Sequence, residues 1–201
     1  MRKIQRNELN TILRRIKAMK KTALLMIDVQ NDYFPGGKME LPESDRAVGQ
    51  IKVILEEFRQ KKLPIIHIEH ESVIEGSTFF LPGTEGQRIH SLLQPQPGEK
   101  VVVKHYPNSF LETELQSYLE NNDIDRLIIT GMMTFMCVDA TTRAAKDLGY
   151  ECVLVHDCTA TPPVEFSGVS CSAAQAKATI TRALSFICDE VVSTRELLET
   201  L

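Results

Sequence analysis

The sequence predicts an α/β protein: a three-layer α/β/α sandwich around a six-stranded, mostly parallel, doubly wound sheet. Two observations carry this. The apolar runs are short and continuous rather than alternating, as expected of strands buried on both faces. Helical patterns separate them, and strands alternating with helices give a parallel sheet covered on both sides, wound by right-handed crossovers.

Taken in order, the strands are read at "TALLMIDV" (22–29), "LPIIHIEH" (63–70), "KVVVKHY" (100–106), "DRLIITG" (125–131), "ECVLVHD" (151–157) and "EVVS" (190–193). Helical spacing covers 44–61, 110–121, 136–148 and 171–187. Ser44 precedes the first helix, Asn108 or Ser109 with Glu112 offers a capping box for the second, and Gly149 closes the third as a C′ residue. No repeat or linker divides the chain. The longest irregular stretch, 71–99, is long enough to predict a functional or interfacial loop.

At 201 residues with 43% hydrophobic and 25% charged residues, the chain has the composition of an ordinary globule with a real core. No apolar run approaches the roughly 20 residues that span a bilayer, so no membrane association is expected. The N-terminus lacks an apolar signal region, and the expected location is the cytoplasm. Five cysteines, an odd number without a C-x-x-C pair, argue against a disulfide framework or a zinc ribbon. Residues 1–21 carry eight Lys or Arg against one acid, Glu8. Leu9, Ile12, Leu13 and Ile16 form one apolar stripe there, which predicts a basic amphipathic helix over residues 1–20 as an extension to a domain at 21–201. That stripe is expected to pack on protein, across a homo-oligomer interface (dimer or tetramer), rather than on nucleic acid.

In an open parallel sheet ligands bind outside the carboxyl ends of the strands. Three reactive side chains fall on that rim from three separate strands: Asp28 in "LLMIDVQNDYFPGG", Lys104 in "VVVKHYPNSF", and Cys137 in "GMMTFMCVDATTRAAKDLGY". A free thiol, with pKa about 8.5, is mostly protonated at pH 7 and becomes nucleophilic beside a cation, a helix N-terminus or a general base. Cys137 has all three within reach of this reading. Singly, each residue also reads as ordinary: an inert packed thiol, a turn aspartate, a solvated lysine. "HIEH" supplies His67, Glu69 and His70, with His90 later. On a strand His67 and Glu69 share one face and His70 the other, so no metal site is expected. Without a G-x-G-x-x-G or a P-loop, no nucleotide cofactor is expected, and cofactors are read as none. The aromatic residues Phe34, Phe80, Tyr106 and Phe135 are the candidates for substrate binding.

Together the three quoted motifs resemble the isochorismatase-like cysteine hydrolases, a superfamily that includes nicotinamidases, N-carbamoylsarcosine amidases and streptothricin hydrolases. The resemblance covers roughly residues 20–195. It implies a catalytic trio of Asp28, Lys104 and the nucleophile Cys137. It also implies a non-proline cis peptide joining Met132 to Met133, and an oxyanion hole made by the backbone N–H groups of Met133 and Cys137. "HIEHESVIEGSTFF" lacks the ligand set that nicotinamidases carry for a metal. "STFFLPGTEGQRIH" with "KHYPNSF" looks most like the streptothricin hydrolase branch, although Phe135 stands where that branch commonly has His. The resemblance therefore implies a cysteine hydrolase cleaving a C–N amide or lactam bond of a small molecule through a thioester. The alternatives are a vinyl-ether hydrolase of the isochorismatase type, in which Asp28 works and Cys137 is passive, and a non-catalytic binding or redox protein.

Overall fold

The computed structural model describes residues 20–201, so the expected N-terminal helix and its interface fall outside the described residues. Six strands form one sheet: β1 (Lys21–Ile27), β2 (Ile65–His70), β3 (Lys100–Lys104), β4 (Ile124–Met132), β5 (Glu151–Ala160) and β8 (Glu190–Val192). Their order is β3-β2-β1-β4-β5-β8, with every pairing parallel. The predicted doubly wound sheet is therefore present. The chain winds outward from β1 through β2 to β3, then returns to place β4 on the other side of β1. That reversal leaves a crevice above the ends of β1 and β4.

The two-residue period of β1 supplies both cores. Leu24 and Met26 face one cluster, while Ala23, Leu25 and Ile27 face the other. Helix α1 (Ser44–Gln60) covers the first face with Ala47, Val48, Ile51, Ile54, Leu55 and Phe58, one stripe at helical spacing. Each large side chain in it contributes about 1.5–3 kcal/mol by leaving water. Helices α2 (Leu115–Asn121), α3 (Asp139–Asp147) and α4 (Ala173–Leu184) cover the second face through Leu115, Leu119, Ala145 and Leu184. No helix among the described residues is long and apolar enough to cross a membrane.

Several boundaries differ from the sequence reading. The second helix begins at Leu115, not 110, because Glu112 takes a left-handed φ of 55° that breaks the turn. The expected capping box is absent: Asn108 Oδ1 instead accepts from the N–H of Phe110 at 2.9 Å, closing a local turn. Ser44 lies inside α1, behind a left-handed Glu43. Gly149 does end α3, at φ 90°, donating to the Lys146 carbonyl. Two elements escaped the reading. One is a hairpin of β6 (Val164–Phe166) and β7 (Val169–Cys171), whose turn residues Ser167 and Gly168 both have positive φ, as a tight hairpin demands. The other is the C-terminal helix α5 (Thr194–Thr200), capped reciprocally by Ser193 and Glu196.

Candidate active site

The crevice is built from close backbone approach. Gly131, at φ 114°, pairs with Ile27, and a Cβ there would sit 2.0 Å from the Ile27 carbonyl oxygen, so only glycine lets β4 run this close to β1. The Met132–Met133 peptide that follows is cis. Residues 134–138 then form one π-helical turn before α3, and this turn carries Cys137. The Met133 carbonyl closes it by accepting from Met136 and Val138. The Met133 N–H donates to no acceptor among the described residues.

All three rim residues converge. Lys104, at the end of β3, reaches past β2 to lie 2.8 Å from Asp28 Oδ2, with both side chains fully buried. The same ammonium is 3.4 Å from Cys137 Sγ. Cys137 is 4% exposed, so the cluster is almost closed to water. Lys104 also donates to the Tyr106 carbonyl at 3.0 Å and to His70 Nδ1 at 2.9 Å. Burial alone would depress the lysine, but Asp28 and Cys137 outweigh it and hold its pKa above the usual value, so it is an ammonium. Burial pushes the Cys137 thiol far up, Asp28 adds to this, and Lys104 only partly opposes it. The resting sulfur is therefore a thiol within 4.8 Å of Asp28, not the thiolate that a nearby cation and helix start suggested. Apart from the ammonium, the Asp28 oxygens have no partner among the described residues.

Asp28, His70 and Cys137 offer three donor atoms within 4.8 Å of one another, the spacing of a metal site. Lys104 Nζ lies within hydrogen-bonding reach of all three. The protein's own cation thus takes the position that a metal would need, and these residues do not fit one.

The aromatic candidates do not form one wall. Phe80, held in a left-handed conformation at φ 54°, lies edge-on to Tyr33 and 5.9 Å from the His70 ring. Phe135 flanks Cys137 in the π turn and is partly buried against the core. Phe34 stacks on His90 at 4.1 Å, and Tyr106 contributes its carbonyl while its ring stays exposed. Three polar residues that sequence reasoning passed over hold the rim together. Asp32 accepts from the N–H groups of Lys38 and Phe80, tying the 31–40 loop to the long 71–99 loop. Gln30 grips the backbone of His70 at both its N–H and its carbonyl. Tyr33, buried near the trio, is kept a neutral phenol, first by burial and then by the charge of Asp28. The signal available for all three was their place in "DVQNDY", directly after Asp28.

The isochorismatase domain model matches residues 22–183. The chain belongs to the isochorismatase family. It is 44% identical over 146 residues to an uncharacterised isochorismatase family protein of Bacillus subtilis, covering 72% of this chain and 80% of that one. A candidate isochorismatase hydrolase from Oleispira antarctica superposes with a TM-score of 0.86 at 46% identity, over 90% of this chain and 97% of the other. Streptothricin hydrolase from Streptomyces noursei is 32% identical over 69% of this chain, which spans only 49% of that enzyme. As a member of this family the chain is a hydrolase.

Proposed function

We propose that this isochorismatase-family hydrolase cleaves the C–N bond of a small amide or lactam through a covalent thioester on Cys137. The observation that carries the reading is the buried contact of a thiol, a carboxylate with unsatisfied oxygens and an ammonium, drawn from three strand ends. A vinyl-ether hydrolase has no need of a thiol held against its acid. Cys137 Sγ attacks the carbonyl carbon while Asp28 takes the thiol proton, which a raised thiol pKa makes necessary. The backbone N–H groups of Met133 and Cys137 receive the developing oxyanion, each worth about 2.7–4 kcal/mol. Asp28 then passes its proton to the leaving amine as the C–N bond breaks. Water, deprotonated by Asp28, attacks the thioester, and the thiol and the acid are released. Lys104 stays protonated throughout and balances charge on Asp28 and sulfur. No cofactor enters.

A panel of small amides and lactams, assayed for released ammonia or amine, tests this. Turnover accompanied by an acyl adduct on Cys137 in the intact mass supports it. Full turnover by Cys137→Ala would instead assign the work to Asp28 alone.

A further inference from the structure

His70 lies on neither the predicted trio nor any other part of the mechanism above, yet it touches the centre of the site. It is the register partner of Lys104 across β2 and β3. Its backbone is fixed by Gln30, 2.8 Å at the N–H and 2.8 Å at the carbonyl. Four acceptors surround the Lys104 ammonium: Asp28 Oδ2 at 2.8 Å, His70 Nδ1 at 2.9 Å, the Tyr106 carbonyl at 3.0 Å and Cys137 Sγ at 3.4 Å. An ammonium has three protons and no lone pair. Nδ1 beside it must therefore be bare, which makes His70 the neutral tautomer with its proton on Nε2. A thiol sulfur is the weakest of the four acceptors, so at rest the three protons go to Asp28, His70 and Tyr106.

We propose that His70 is a positioning residue: its bare Nδ1 takes one proton of Lys104 and so holds the ammonium aimed at Asp28 and Cys137. The groups facing the ring are Lys104 from β3, Asp28 after β1, Cys137 from the π turn and His105 after β3, with Phe80 against its side. Burial first, and then Lys104, bring the His70 pKa down to about 4, with Asp28 opposing them. The acceptor is thus intact at every pH above about 5, where an unperturbed histidine of pKa about 6.5 would begin to charge. Protonation below that range would place a cation against Lys104.

This assignment rests on the reading of Lys104 and Cys137 as catalytic, so the test includes a readout that needs no substrate. The full-length protein, labelled with ¹⁵N-histidine and ¹⁵N-lysine, is titrated by NMR. The expected result is a bare Nδ1 and protonated Nε2 on His70 from pH 5 upward, without titration near 6.5. His70→Leu, which fills the space without an acceptor, should lower the Lys104 pKa by about one to two pH units. His70→Asn, whose Oδ1 can stand near the Nδ1 position, should restore most of it. On an amide substrate, His70→Leu should lower kcat about tenfold or more with KM little changed, and His70→Asn should recover part. A proton on Nδ1, titration near 6.5, or an unmoved Lys104 in His70→Leu overturns the proposal. If His70→Leu does not fold, the wild-type tautomer and His70→Asn still decide it. A protein with the expected tautomer and Lys104 shift that cleaves no amide would refute the amidase reading while supporting the role of His70.

Discussion

Strand β2 carries two histidines three residues apart, and each sits beside a cation and a carboxylate. Around His67 the carboxylate is saturated. Glu99 accepts from Arg59 Nε at 2.7 Å, from Arg59 Nη2 at 3.0 Å, from His67 Nε2 at 2.8 Å and from the Gln96 N–H at 2.9 Å. Burial acts to raise its pKa, but these donors win and bring it to about 2. Around His70 the carboxylate is starved, since among the described residues Asp28 has only the Lys104 ammonium. The histidines play opposite parts, His67 donating and His70 accepting. A saturated cluster has no free lone pair to take a proton and serves as a clamp, here fastening the end of the long loop to α1 and β2. A carboxylate with unsatisfied oxygens can accept a proton, so the same ingredients support chemistry.

The comparison breaks most visibly at the sulfur. Cys137→Ala should reduce turnover by on the order of 10⁴-fold or more, because loss of a nucleophile removes the covalent route, while the melting temperature changes little. Asp28→Asn should lower kcat by about 10²–10⁴-fold, the usual worth of a general base. It should also destabilise the fold by about 3–5 kcal/mol, because it leaves a buried ammonium uncompensated. Steady-state rates and urea unfolding of the two variants separate these effects.

Gly131→Ala tests the crevice itself. With φ at 114° and a carbonyl 2.0 Å from the new Cβ, it should cost about 2 kcal/mol or more and reduce activity by shifting the Cys137 turn. An urea midpoint equal to that of the wild type would show that β1 and β4 can separate freely.

Glu99→Gln sharpens the contrast from the other side. It should cost about 1–3 kcal/mol, the range for charge-assisted hydrogen bonds, yet leave kcat within about twofold. Its pH signature follows from the depressed carboxyl. The stability Glu99 provides is fully present above its unfolded pKa of about 4.3. It is lost as pH falls toward its folded value of about 2. Urea midpoints of the wild type should therefore decline between pH 5 and 2 more steeply than those of Glu99→Gln. Parallel curves would mean that the clamp carries no net charge linkage.

Residue pattern by itself determined the layering and the candidate trio. Continuous β-branched runs between helical stripes encode a buried parallel sheet locally, and in such a sheet reactive residues at strand ends fall on one rim wherever the strands sit. Asp28, Lys104 and Cys137 were legible for that reason, as was Gly149 at the end of α3. What the tertiary structure decided depends on which distant residues become neighbours. His70 could be assigned a face by strand parity, but its partner is set by the β2–β3 register, 34 residues away in sequence. Phe80 adopts a left-handed backbone at a position where an aromatic residue gives no warning, with its N–H held by Asp32 across 48 residues. The late start of α2 turned on positive φ at Glu112, and the hairpin on positive φ at both Ser167 and Gly168, which weak local preferences leave undetermined. The thiol's protonation depends on how completely the crevice closes over it, and burial is a property of the assembled layers rather than of any segment.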